Sequence, residues 1–319
     1  MTEIPIIDVS GLRSPHLRER QAVAASMGRA ARDTGFLYVV NHGVPLTLLH
    51  ATFEAAHALF DLPAAQKQKL DIRRSPHNRG YAGFLTEQLD ETAFPDRKEA
   101  FNIGFDLSPD DPEVVAGVPF RGVNVWPGLP GWRSTMLAYF DACMDLSRVL
   151  HRGFCLDLDI DEDFFTPLID RPLATLRMLR YPPRDPAAPA EALGAGTHTD
   201  YGNITLLAVD GVAGLEVRRR DGTWIDAPTV PGALVVNIGD LLMRWTNDIY
   251  VSTPHRVRQP DRERYSLAFF LDPNPDAQVA VLPACLAPGE RPRYAPTSGA
   301  AYLRMRLDAT YIGEGVAAG

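Results

Sequence analysis

Gly196-Thr197-His198-Thr199-Asp200-Tyr201-Gly202 lies in a part of the chain built from short apolar runs separated by turns. Around it stand Leu176 to Tyr181, Ile204 to Val209, Gly214 to Val217, Ala233 to Ile238, His255 to Val257 and Tyr265 to Leu271. Each run has the length of a strand rather than of a helix, and many such strands at close spacing predict a barrel or jelly roll. On extended backbone the side chains alternate faces, so His198 and Asp200 point the same way and set an imidazole beside a carboxylate. That is two thirds of a metal site.

The pair is weak evidence alone, because a chain with eight histidines holds on the order of one His-x-Asp by chance. A third ligand must come from another strand, and His255, within Ser252-Thr253-Pro254-His255-Arg256-Val257, is the candidate. Taken singly, His255 reads equally as a buried histidine bonded to a backbone carbonyl. Two imidazoles and one carboxylate on one side of a metal leave the other side open, which suits iron(II) when O2 and a second chelating molecule must bind. Zinc prefers a closed or nearly closed tetrahedral shell.

Arg264-Tyr265-Ser266 follows His255 by a short interval. In a strand Arg264 and Ser266 share a face, where a guanidinium fork and a hydroxyl together can grip a carboxylate. Ala268 and Phe270 continue that face with apolar surface that excludes water.

Working outward, Ile4 to Asp8 and Phe36 to Val40 read as strands, while about Arg18 to Arg32, Leu46 to Phe60 and Trp132 to Leu156 carry helical periodicity. A terminal helix is expected near Ala300 to Arg306. The expected organisation is a mixed helix and strand region over 1–120, a helical connector over 121–170, the jelly-roll core with its sites over 171–275, and a C-terminal segment over 276–319, packed together as one unit.

Composition is that of a globular protein, with 45% hydrophobic and 23% charged residues. A net charge of -8 argues against a nucleic-acid partner, since neutralising phosphates needs a concentrated basic surface. Arg218-Arg219-Arg220 is the one local basic run singled out, and the Asp221-Gly222 that follows makes it the arm of a hairpin turn. Three cysteines without C-x-x-C spacing exclude a full disulfide framework and a thiolate zinc site. With neither a signal-peptide pattern nor an 18-residue apolar run, the expectation is a cytoplasmic protein with no membrane span.

The order His-x-Asp, then about fifty residues, then His, then Arg-x-Ser about ten later resembles the iron(II)- and 2-oxoglutarate-dependent oxygenases of the isopenicillin N synthase-like family. The resemblance covers nearly the whole chain: Ile4-Pro5-Ile6-Ile7-Asp8, Gly35-Phe36, Asn41-His42-Gly43-Val44-Pro45, Arg79-Gly80-Tyr81, Lys98-Glu99, Arg180-Tyr181-Pro182-Pro183, Trp245-Thr246-Asn247-Asp248 and Tyr302-Leu303 look like family landmarks. It implies a mixed α and β fold with a double-stranded β-helix (distorted jelly-roll) core and flanking helices, with iron(II) held in the mouth of the barrel by His198, Asp200 and His255. It also implies that 2-oxoglutarate chelates the iron and rests its far carboxylate on Arg264 and Ser266, with the Tyr181 phenol joining that cluster. Leu179 stands where plant members often carry asparagine. The implied activity is oxidation, in the first instance hydroxylation, of a small molecule, coupled to conversion of 2-oxoglutarate and O2 to succinate and CO2.

Two other readings stay open on the residues. In an isopenicillin N synthase-like oxidase, Arg264, Ser266 or Tyr181 would hold a carboxylate of the substrate, which would supply all the electrons; that enzyme also carries an Arg-x-Ser pair. A non-catalytic ligand-binding module would need the pocket and not the open metal. Gly194-Ala195-Gly196 is rejected as a dinucleotide loop, since a proline-rich loop and not a strand is expected before it. His42 is assigned a structural task. Asn102 is a candidate substrate contact, and Met178, Arg180 and Phe269 are further pocket candidates.

Overall fold

A strand covered on both faces buries nearly every residue, which is why the apolar runs around His198 carry so little alternation. In the computed structural model, residues 4–90, 92–189 and 191–310 are described. The strands that build the site among them are β1 (Ile6–Asp8), β2 (Phe36–Val40), β3 (Gly80–Ala82), β4 (Glu99–Gly104), β5 (Thr175–Tyr181), β6 (Leu193–His198), β7 (Ile204–Val209), β8 (Leu215–Arg218), β9 (Trp224–Asp226), β10 (Leu234–Ile238), β11 (His255–Arg258) and β12 (Arg264–Leu271). The major sheet has the order β1-β2-β10-β7-β12-β5-β4-β3, and the minor sheet β6-β11-β8-β9.

From β5 to β12 the chain passes repeatedly between the sheets: β5, β7, β10 and β12 belong to the major one, and β6, β8, β9 and β11 to the minor one. Antiparallel pairing of β12 with β5 and β7, and of β11 with β6 and β8, closes this into the expected double-stranded β-helix. The N-terminal region extends the same major sheet, with β2 pairing with β10 and β4 with β5.

The outer face of the major sheet is covered by helices α1 (Leu17–Asp33), α2 (Leu46–Phe60) and, after the short α3 (Ala64–Gln68) and α4 (Pro112–Val115), the long α5 (Trp132–Asp157). Met136, Phe140, Cys143, Met144, Leu150 and Phe154 recur along α5 at helical spacing and form its buried stripe. Phe140 meets Phe269 of β12 edge to face, 5.1 Å between ring centres. A short α6 (Asp240–Trp245) follows β10, and α7 (Gly299–Thr310) is the expected terminal helix, longer than the sequence indicated. No helix among the described residues is long and apolar enough to cross a membrane.

The proline-rich stretch 182–189 is without strand, as expected, but Gly194-Ala195-Gly196 themselves lie in β6, a strand absent from the expected runs. Glycines disguise this strand, and packing demands them: a Cβ on Gly194 would stand 2.8 Å from the Tyr181 ring, and one on Gly196 would stand 2.9 Å from Asp90 Cβ. The Arg218-Arg219-Arg220 run leads into a hairpin as expected. Gly222, at φ +86°, donates its N–H to Arg219 O, and Arg219 N–H donates to Thr223 O at 2.8 Å.

Candidate metal centre

His198 ends β6 and His255 opens β11, and the two residues are paired across the minor sheet. Asp200 is not on the strand, as the alternation argument assumed, but in the turn between β6 and β7. Its backbone carbonyl accepts from Asp240 N–H at 2.8 Å, and its Oδ2 accepts from Thr205 Oγ1 at 2.5 Å and Asn237 Nδ2 at 2.7 Å. Oδ1 is left facing the imidazoles, 3.7 Å from His198 Nε2 and 3.6 Å from His255 Nε2. One donor atom from each of the three residues lies within 4.8 Å of the others.

The other ring nitrogens fix the tautomers. His198 Nδ1 is 2.7 Å from Gly196 O, and His255 Nδ1 is 3.1 Å from Thr253 O. A carbonyl can only accept, so each Nδ1 carries the proton and each Nε2 turns a lone pair toward Asp200 Oδ1. Burial, helped by the neighbouring His255, pushes His198 down to about 3. Asp200 is held below its ordinary value, although burial pushes the other way, because the two imidazoles and the hydrogen bonds from Thr205 and Asn237 favour its anion. Neutral imidazole and ionised carboxylate are the forms that bind metal. Two nitrogens and one oxygen converging from one side therefore fit iron(II) with open positions.

The trio opens onto a cavity between the two sheets. Arg264, Ser266, Ala268 and Phe270 of β12 face into it, as the alternation predicted. On β5 the inward residues are Thr175, Arg177, Leu179 and Tyr181. This parity removes Met178, Arg180 and Phe269 from the pocket. Met178 and Phe269 belong to the core under the helices, and Arg180 pairs with Glu99 at 2.9 Å and with Glu263 at 2.5 Å.

Arg264 is 1% exposed, and among the described residues no carboxylate forms an ion pair with it. Its Nε donates to Val212 O at 3.2 Å, its Nη1 stands 3.5 Å from Ser266 Oγ, and the guanidinium lies 4.9 Å from the centre of the Tyr181 ring. Tyr181 is the cross-strand partner of Arg264. A buried cation without an internal counter-charge is costly to keep and prepares the site for an anion.

Farther along β5 the cavity wall is polar. Arg177 donates to Glu87 at 2.5 Å and to Asn102 Oδ1 at 2.9 Å; Lys98 in turn pairs with Asp96 and Glu87. Asn102 thus lines the cavity beside Arg177, while its neighbour Phe101 packs in the core. Asp272, just past β12, also borders the cavity; burial and then the charge of Asp200 push it up to about 7. His42 has the structural task expected: its Nδ1 accepts from Val44 N–H, and Nε2 donates to Gly232 O.

Sequence reasoning missed Thr205, Asn237, Arg177 and Asp272. A signal existed for the first two, each a single polar residue inside an apolar strand run. Arg177 could be found by counting back in twos from Tyr181, and Asp272 by continuing one step past Phe270.

Comparison with known proteins agrees with this geometry. Residues 4–129 match the family described as non-haem dioxygenase in morphine synthesis N-terminal, and residues 172–273 match the 2OG-Fe(II) oxygenase superfamily. A 2-oxoglutarate-Fe(II) type oxidoreductase of Emericella nidulans is 37% identical over 303 residues, covering 92% of this chain and 86% of the relative. Clavatol oxidase of Penicillium crustosum is 34% identical, covering 97% and 96%. Among solved structures, a full-length Neurospora crassa protein in complex with alpha-KG superposes with a TM-score of 0.86 at 31% identity, covering 96% of each chain.

Proposed function

The chain belongs to the 2OG-Fe(II) oxygenase superfamily, and from that premise we propose that His198, Asp200 and His255 hold the iron(II) while Arg264, Ser266 and Tyr181 receive the far carboxylate of 2-oxoglutarate. The protein is an iron(II)- and 2-oxoglutarate-dependent oxidoreductase of a small-molecule substrate. When bound, the metal activates O2 for oxidative decarboxylation of 2-oxoglutarate and oxidation of a substrate C–H bond.

In this reading the residues divide the work. Thr205 and Asn237 hold the Asp200 carboxylate so that one oxygen faces the metal position. Gly196 and Thr253 carbonyls fix both imidazoles in the ligating tautomer. Arg264 supplies a cation in a dry wall, where a charge-assisted pair is strong. Phe270, Leu207 and Val257 line the cavity with apolar surface that keeps water from the reacting atoms. The substrate then lies toward Asn102, Arg177 and the α7 side chains Leu303 and Leu307, and hydroxylation is the oxidation proposed. The segment 171–275 carries both sites. The cytoplasm as compartment is likewise our reading, supported by three buried free cysteines.

The observation that carries this reading is the buried, uncompensated Arg264 on the wall of the same cavity onto which the His198, Asp200 and His255 donors converge. An oxygen-free titration of iron-loaded protein with 2-oxoglutarate, followed by visible absorption and then by succinate release in air, tests it. Saturable binding and iron-dependent succinate are expected. An oxidase that draws all electrons from its substrate would show neither, and a binding module would show no succinate.

A further inference from the structure

We infer, resting on the function just proposed, that Asp272 is a specificity residue that accepts a hydrogen bond from an N–H or O–H group on the primary substrate. Asp272 continues the inward face of β12, two residues beyond Phe270, so it borders the cavity at the end opposite Arg264. The side chain is buried, and Oδ1 has no hydrogen-bond partner among the described residues. Buried polar atoms almost always find partners within a fold. Oδ1 is enclosed toward Gly202, and the other oxygen of the same carboxyl has no hydrogen-bond partner among the described residues either, so the carboxyl that borders the substrate cavity is left to bond a ligand.

Two alternatives are met by the geometry. Asp272 is not one of the three residues whose donor atoms converge, so it is not a fourth ligand of that cluster. Among the described residues its side chain also has no hydrogen bond to keep, yet the chain makes room for it: a Cβ on Gly202 would stand 2.9 Å from Asp272 Oδ1 and 2.6 Å from Leu271 O. Phe270, Leu173, Leu303 and Leu307 face the same space, with the polar Asn102 and Arg177 also on its wall. A carboxyl accepts through an unprotonated oxygen whether neutral or ionised, and the ionised form can only accept. The substrate class that fits is a largely apolar, ring-sized body carrying one hydrogen-bond donor at the edge remote from the 2-oxoglutarate site.

The test uses iron-loaded full-length protein and matched pairs of compounds: phenols with their methyl ethers, and N–H heterocycles and lactams with their N-methyl forms. Compound-stimulated succinate release is read as kcat and KM. Donor-bearing members are expected to stimulate, with an advantage in kcat/KM of about 100-fold or more over their methylated partners, as for other sites built to bond a substrate N–H or O–H. Asp272→Leu should shrink that advantage to about threefold or less, chiefly through KM, whereas Asp272→Asn, whose amide oxygen still accepts, should keep part of it. In parallel, above about pH 7, where the carboxyl is ionised, Asp272→Asn, which keeps the side-chain shape, should raise the Tm of the ligand-free protein, because it removes a buried charge without an internal partner among the described residues. A carboxyl with an internal structural role would give a lower Tm.

A lower Tm for Asp272→Asn overturns the inference. So does equal or better stimulation by the methylated partners, or a panel in which no donor-bearing compound raises succinate release. Failure of the wild-type protein to bind 2-oxoglutarate without oxygen would instead overturn the proposed function, so the two failures are distinguishable.

Discussion

Replacing Arg264 with leucine removes the cation proposed to meet the far carboxylate of 2-oxoglutarate. The guanidinium is buried and answered internally by Val212 O and Ser266 Oγ, both uncharged. A bound carboxylate would therefore gain two charge-assisted hydrogen bonds, each worth about 1.5–3 kcal/mol. Their loss amounts to about 3–6 kcal/mol, and at about 1.4 kcal/mol per tenfold this raises Kd by about two to four orders of magnitude. Ser266→Ala removes one hydroxyl-to-carboxylate bond of about 1.5–3 kcal/mol, so its Kd should rise about 10- to 100-fold, less than for Arg264→Leu. The assay is the oxygen-free titration of iron-loaded protein, checked by calorimetry. Iron affinity should not change in either variant, because neither residue touches the His198, Asp200 and His255 donors. Ligand-free Arg264→Leu should not lose Tm, since no internal ion pair is broken and a buried cation without a counter-charge is removed. Binding of 2-oxoglutarate by Arg264→Leu within about threefold of wild type would refute the carboxylate site, because a lost charge-assisted pair cannot be that cheap.

Asn237→Leu removes one of the two donors to Asp200 Oδ2 and should weaken iron(II) binding about 10- to 100-fold; unchanged affinity in a metal titration would show that Thr205 alone orients the carboxylate. Gly239→Ala places a Cβ 2.3 Å from Gly202 O and 3.2 Å from Asp200 O, where backbone must move, and calorimetry should show a loss of about 1–3 kcal/mol together with weaker iron binding. The contribution of Asp272 to the stability of metal-free protein should fall as pH rises from about 4 to about 7, against the opposite contribution of the buried His198: over that window the unfolded chain ionises Asp272 while the fold, in which burial pushes the group up to about 7, keeps it protonated. The penalty is at most about 4 kcal/mol. The Tm advantage of Asp272→Asn over wild type should therefore grow across this range and level off above it, and a pH-independent difference would contradict the assignment.

What the sequence disclosed, and what it hid, follows the range of the interactions involved. Helices α1, α2 and α5 were readable because their buried stripes repeat within each segment. The runs that became β7, β10 and β12 were readable because strands buried on two faces are apolar throughout. β6 was hidden because its glycines answer to Tyr181 and Asp90, residues far away in the chain. The inward parity of β5 was hidden from composition alone. Leu176 to Tyr181 carries an arginine on each face, so composition left Met178 and Arg180 as plausible as Arg177 and Leu179; counting in twos from Tyr181 selects the second pair, and the pairing of Arg264 with Tyr181 agrees. The metal trio was readable as types and spacing, but its support was not, although a physical clue was present. Thr205 and Asn237 are isolated polar residues in strands otherwise made of Ile, Leu, Val and Ala, and a polar side chain in such a place must have a partner. Because β7 and β10 are neighbours with Thr205 opposite Asn237, a single group can satisfy both. A buried anion is the group that needs two donors, and Asp200 is that anion. The same reasoning, run from an orphan rather than from a pair, isolates Asp272: it is a buried acid for which the described residues provide no such donors.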